Sequence, residues 1–201
     1  MDPVIADSRP PYLVVDSPHE LARWRPLAHW LLVIPHAVIA SALRTVSQVV
    51  FVVYWVMFVV TGKLHPGLYG VMVMYERYDI RTVGYLVGVS EVYPPFDFDT
   101  GSDDDGAYPP VRLTLPPVPT EVPRRAAWNV LAAIPHYLVL CVFAVAAFAV
   151  AIAGWFAVLF TGRWPVGMRA FVVRVANYGY RVWTYVVMVD RTYPRFGLPT
   201  A

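Results

Sequence analysis

The stretch AAWNVLAAIPHYLVLCVFAVAAFAVAIAGWFAVLFT, residues 126–161, runs for 36 residues with Asn129 and His136 as its only strongly polar side chains. A helix in water needs a solvated face, and this segment offers none. It also exceeds the roughly 20 apolar residues that cross a hydrocarbon core. The whole chain of 201 residues is 58% apolar and 15% charged, so lipid is the expected solvent for much of it. Its formal net charge of +2 comes from scattered Arg rather than a basic block, a pattern that argues against nucleic acid as a partner. Cys141 is the only cysteine, which excludes an intrachain disulfide and a Cys-based metal cluster. Residues 1–16 carry acids and three prolines in place of a basic then apolar run, so no cleavable signal peptide is expected.

Sliding the chain against itself by 100 residues aligns Ile34-Pro35-His36 with Ile134-Pro135-His136. The same offset pairs Trp55 with Trp155, Thr61-Gly62 with Thr161-Gly162, and Gly67 with Gly167. It also pairs Tyr78, Arg81 and Tyr85 with Tyr178, Arg181 and Tyr185, and Tyr93-Pro94-x-Phe96 with Tyr193-Pro194-x-Phe196. From Trp24/Arg124 to Phe96/Phe196, 19 of 73 pairs are identical without a gap. Generic hydrophobicity would match Val with Leu; it would not bring Pro-His, Thr-Gly and Tyr-Pro-x-Phe into register. The chain therefore reads as two copies of one unit, residues 1–100 and 101–201.

Each copy opens on a short extended stretch, Tyr12 to Asp16 or Val111 to Leu115, whose bounding prolines suit an edge strand or a polyproline arm. Next comes an Arg- and Trp-bearing segment before Pro35 or Pro135, suited to the headgroup region. From Trp24 to Val60 an unbroken helix would measure about 55 Å, too long for one crossing, and the proline supplies the break. The Gly- and Pro-containing sequences after Thr61 and Thr161 are turns. Leu68 to Ser90 and Met168 to Val189 are long enough to return across the bilayer. The expected fold is an all-α membrane protein: a tandem duplication of a two-helix transmembrane unit, four spanning helices in all, with interfacial helices and short extended arms on one side. In the rival arrangement these return segments are surface-lying helices, because their charges are costly against lipid. The basic count is eight on the terminal side (Arg9, Arg23, Arg25, Arg112, Arg124, Arg125, Arg191, Arg195) against three at the turns (Lys63, Arg163, Arg169). This predicts both termini in the cytoplasm.

The triplets Tyr78/Arg81/Tyr85 and Tyr178/Arg181/Tyr185 have helical spacing i, i+3, i+7. An Arg between two phenols, at snorkelling depth, is a candidate lipid-headgroup site; the structural alternative ties helices together through backbone carbonyls. In the first copy Ser41, Arg44, Thr45 and Gln48 form a polar stripe where the second copy has Cys141, Ala144, Val145 and Phe148. Glu76 and Asp79 likewise face Ala176 and Gly179. Arg44 and Asp79 fall at matching depths, which predicts a structural ion pair. His36 and His136 could ligate a metal or haem from two sides, but their place after a proline at a helix start favours capping of free N–H groups. Phe96 to Ala107, a Gly- and Asp-rich stretch with Asp97, Asp99 and Asp103 to Asp105, reads as a solvated linker. Nucleophile elbows, phosphate loops and metalloprotease motifs are absent, so neither an enzyme nor a cofactor is implied.

Residues Trp155 to Gly167 (WFAVLFTGRWPVG), Tyr180 to Tyr185 (YRVWTY) and Asp190 to Phe196 (DRTYPRF) resemble the bacterial membrane proteins grouped as domain of unknown function 4389. The Ile-Pro-His triplet is similar too. The second copy follows that pattern closely. The first departs from it, with Lys63-Leu64-His65-Pro66 for Arg-aromatic-Pro and Ser90-Glu91-Val92 for Asp-Arg-Thr. The resemblance implies a membrane protein and brings no catalytic residues. The expected role is a non-catalytic accessory or scaffold subunit of a larger complex in the bacterial inner membrane. Its expected partners are membrane lipids and other membrane-protein subunits or itself; a small-molecule or lipid transporter component is the alternative.

Overall fold

Pro35 and Pro135 set the architecture. In the computed structural model, which describes residues 10–199, helix α1 (Arg25–Leu32) runs into α2 (Ile34–Thr61) through Val33, whose dihedrals stay helical (φ −78°, ψ −17°). Proline lacks the N–H needed there, so the rod kinks and continues. Helix α2 stops at Gly62, whose φ of 72° is left-handed and suits a residue without Cβ. Helix α3 (Pro66–Leu86) starts with the His65 ring accepting from the Leu68 N–H at 3.3 Å. The second copy repeats the order. A 3-10 turn (Arg124–Trp128) and the short α4 (Asn129–Ala132) stand in for α1, and α5 (Ile134–Thr161) ends at Gly162, again with φ 72°. Helix α6 (Val166–Val186) then returns along it. The segments before Pro35 and Pro135, the breaks and the turns fall where the sequence puts them.

The two extended arms pair with each other. Strand β1 (Leu13–Val15) is antiparallel to β2 (Val111–Leu113), with Leu13 opposite Leu113 and Val15 opposite Val111. The pair Leu13/Leu113 has the same offset of 100 as the duplication. The pseudo-two-fold axis that exchanges the copies therefore passes between these two residues, perpendicular to the ribbon. Asn177 of α6 locks the ribbon from below: its amide oxygen accepts from the Leu13 N–H at 2.9 Å and its NH₂ donates to the Leu13 carbonyl at 3.0 Å.

The copies are stitched together beneath the ribbon. Tyr54 donates to the Val187 carbonyl at 2.9 Å, and the Tyr69 and Trp183 rings lie 5.9 Å apart. Trp55 donates to the Ala127 carbonyl and its counterpart Trp155 to the Pro26 carbonyl, at 2.9 and 3.2 Å. The main core gathers Tyr54, Phe58, Tyr69, Met72, Leu113 and Leu115, so ribbon, inner helices α3 and α6, and outer helix α2 share one apolar interior. Side-chain volumes are exchanged between copies: Gly154 makes room for the buried Trp164 ring, whereas their counterparts are Tyr54 and Leu64. A Cβ at Gly154 would overlap that ring.

Among the described residues α2 and α5 are the helices long and apolar enough to cross a membrane, and only 17% and 6% of their most apolar windows are buried. A core helix of a soluble protein would be mostly buried. Helices α3 and α6 are the inner layer, and crossings by them, the other half of the four expected, do not meet the same criterion. Arg9, used in the basic count, lies outside the described residues, as do all of residues 1–9.

Candidate functional site

The repeated motifs converge on one aromatic knot per copy. His36, fully buried, meets the Tyr78 hydroxyl through Nδ1 at 2.7 Å, stacks on Phe96 with centroids 4.3 Å apart, and touches Tyr93 at 4.8 Å. His136 does the same with Tyr178 at 2.7 Å, Phe196 at 4.1 Å and Tyr193 at 4.8 Å. The capping role expected of these histidines is thus corrected: neither helix start has a side-chain cap, and each imidazole instead pins the Tyr-Pro-x-Phe tail to the helical hairpin. Tyr85 and Tyr185 complete the knot through Tyr93 and Tyr193, both at 5.5 Å. Tyr85 also stacks at 4.0 Å on His29, whose pKa burial holds below its ordinary 6.5.

Arg81 turns away from these phenols towards the linker. Its guanidinium is 2% exposed and paired with Asp97 at 2.7 Å and Asp104 at 3.0 Å. Arg77, 3% exposed, pairs with Asp99 at 3.2 Å and donates to the Gly101 and Asp103 carbonyls at 2.8 and 3.0 Å. Asp104, with 1% of its side chain exposed, also accepts from the Leu113 N–H at 2.9 Å. It holds β2 as Asn177 holds β1. The linker expected to be solvated therefore carries carboxylates that neutralise two buried Arg, and carboxylates occupy the place foreseen for a lipid phosphate at Arg81. Burial pushes the Asp97 carboxyl up, but the Asp99 N–H and the Arg81 guanidinium outweigh it and leave its pKa below the ordinary 3.8. Arg181 is buried at the counterpart position, facing a cavity shared with Leu13, Arg169 and Asn177.

The polar stripe of the first copy opens on the second. Arg44, Ser47 and Gln48 of α2, Tyr75 and Glu76 of α3, and Tyr137 and Trp183 of the second copy line a groove of about 560 Å³. Arg44 donates to the Tyr75 hydroxyl at 3.1 Å. Among the described residues no ion pair within 4.0 Å joins Arg44 to Asp79, so the expected contact is replaced by an aromatic one. Burial, with Asp79 adding its charge, pushes the Glu76 carboxyl up to about 8. A second groove, about 580 Å³, overlaps the symmetry-related position through Phe148 and Ile152, the counterparts of Gln48 and Val52; it extends to Leu27, Trp30 and Trp155 and is apolar. One fold thus offers a polar and an apolar inter-copy groove.

A family model described as a domain of unknown function (DUF4389) matches residues 23–97 and again residues 124–197. The chain belongs to this family. No curated protein and no solved structure matches it. The two family units coincide with the two structural copies, each from the segment before Pro35 or Pro135 to the Tyr-Pro-x-Phe tail. What lies outside them, β1, the Asp-rich linker and β2, forms the ribbon layer and its supports. Sequence reasoning singled out Arg44, Gln48 and Glu76 of the polar groove but missed Tyr75, Tyr137 and Trp183. For Tyr137, the available signal was a phenol next to His136 where the first copy has Ala37.

Proposed function

We propose that the chain is a non-catalytic, membrane-resident accessory or scaffold subunit that holds the polar head of an amphiphile in the groove beside Arg44. The observation that carries this reading is the pairing of two nearly unburied apolar helices, α2 and α5, with a groove between the copies that has one cation, one amide, one aliphatic hydroxyl, two phenols and the Glu76 carboxyl, which burial keeps protonated at neutral pH. Such a set recognises a phosphate or carboxylate headgroup whose tails remain in lipid. The lipid contact is thereby assigned to Arg44 rather than to Arg81, whose charge is already met by Asp97 and Asp104. A cytoplasmic location for the Arg-rich flanks of a bacterial inner-membrane protein fits the basic count.

The polar cavity between copies also favours a second reading, a component of a lipid or small-molecule transporter. Native mass spectrometry of gently extracted protein tests the first. The expected result is co-purified phospholipid or a companion polypeptide, with the lipid lost in Arg44→Ala. A lone lipid-free monomer overturns it. Uptake of an amphiphile into proteoliposomes would move the balance to the transporter.

A further inference from the structure

We infer that the chain sits in a single leaflet: α2 and α5 lie in the membrane plane, and the occupant of their apolar outer face is the acyl-chain region of one phospholipid monolayer. This rests on the membrane residence proposed above and goes further, because it excludes any crossing.

The geometry follows from the duplication. The pseudo-two-fold exchanges residues i and i+100, so counterparts lie at one height along the axis. Trp55 is bonded to Ala127, the counterpart of Leu27. Trp55 and Leu27 are therefore level to within the reach of one indole, yet the kinked rod between them is about 42 Å long at about 1.5 Å per residue. A rod that long with level ends is close to perpendicular to the axis. Trp155 on Pro26 repeats the constraint from the other copy. The Tyr69–Trp183 contact does the same for α3, since Trp183 is the counterpart of Val83, fourteen positions from Tyr69. All four long helices thus form layers normal to an axis that pierces the ribbon between Leu13 and Leu113.

Two orientations remain, and the ribbon layer chooses between them. If the helices stood upright, the axis would lie in the membrane plane and the ribbon would sit at mid-depth. Ribbon and linker together run along α3, with Thr100 of the linker against Gly70 and Val111 of β2 against Gly84. Asp99, Asp103, Asp105 and Arg112 are exposed on this layer. Lipid does not tolerate such a row of charges. If the axis is the membrane normal, every one of these groups is in water, and the opposite face is apolar apart from the exposed Ser41, Arg44, Thr45 and Gln48 of α2, the stripe to which a headgroup is assigned above. That face presents Val38, Val49, Leu138, Val142 and Phe148, each at least 60% exposed. Trp24, Trp30 and Trp128, at 60%, 63% and 67%, stand at its ends beside Arg23, Arg25, Arg124 and Arg125, as interfacial anchors do.

The test uses the full chain with Cys141→Ser and single cysteines in place of Lys63, Arg163 or Asp105, labelled in sealed membrane vesicles with an impermeant maleimide. Lys63 and Arg163 mark opposite ends of the helix layer, and Asp105 marks the ribbon layer. All three are expected to label from one side only. Labelling of Lys63 and Arg163 from opposite sides, or of both turns from the side opposite Asp105, overturns the inference while leaving membrane residence intact. Recovery of the protein in the soluble fraction after an alkaline carbonate wash would instead remove the membrane reading itself. Polarised infrared spectroscopy of oriented bilayers gives a second readout, with helix dichroism expected for axes near the membrane plane; dichroism for axes near the normal overturns the inference.

Discussion

Replacing Asp104 by alanine removes the carboxylate that four groups share: Arg81 at 3.0 Å, Arg77 at 3.7 Å, the Leu113 N–H at 2.9 Å and the Gly106 N–H at 3.0 Å. With 1% of its side chain exposed, water cannot take its place without opening the linker. Breaking one partner of a buried ion pair strands charge and costs about 3–5 kcal/mol. At roughly 2–4 °C per kcal/mol for a chain of this size, the melting temperature should fall by about 6–20 °C. Thermal unfolding in a mild detergent, followed by tryptophan fluorescence, reads it. Asp104→Leu combined with Arg81→Met should recover much of the loss, because an apolar pair of similar volume needs no solvation. A fall below about 1 kcal/mol for Asp104→Ala would refute the reasoning, since it would mean that the ribbon is held on α3 by packing alone.

Asn177→Leu should cost about 2–4 kcal/mol, by leaving both the N–H and the carbonyl of Leu13 without partners, and should expose β1 to proteolysis. Gly154→Ala should lower the melting temperature in the wild type but be tolerated beside Trp164→Leu, the residue type of the first copy. The raised pKa of Glu76 means that the folded state keeps a proton the unfolded chain releases, so stability should decline from about pH 5 to pH 8; Glu76→Gln should flatten that part of the profile. The depressed pKa of Asp97 acts in the opposite sense, giving stability that is lost as pH falls below about 4, and Asp97→Asn should remove that acid step. Arg44→Ala and Asp79→Ala should couple only weakly in melting, by about 0.5 kcal/mol, because Arg44 hydrogen-bonds Tyr75 and feels Asp79 through its field alone; a coupling above about 1 kcal/mol would restore the direct pair.

Much of the fold was legible because the duplication gave each local signal twice. Pro35/Pro135, Gly62/Gly162 and the Thr-Gly turns act within a few residues, and their physics is the same in either copy. The identities that local structure did not need, Pro-His, Tyr78/Tyr178 and Tyr-Pro-x-Phe, were the hint of a shared long-range contact, and they meet in the His–aromatic knot. Their meeting could not be read from spacing, because His36 and Tyr78 are 42 positions apart and only the hairpin brings them together.

The linker misled for a different reason. A run of Asp, Gly and Ser is a solvated segment by composition, and composition cannot say which charges find partners. The one available sign was an imbalance: the first copy carries Arg77 where the second has Asn177, and the acids follow that copy alone. An extra buried cation in one copy requires an extra anion that the other does not need. The linker supplies it through Asp99 and Asp104, so the asymmetry of the helices and the composition of the linker are one feature. The same reasoning bears on the groove. Arg44, Gln48 and Glu76 stand where the second copy has Ala144, Phe148 and Ala176, and such groups are kept in lipid only where they are paired or used. Tyr75 meets part of the hydrogen-bonding capacity of Arg44, and a bound headgroup meeting the rest is what the proposed amphiphile would add.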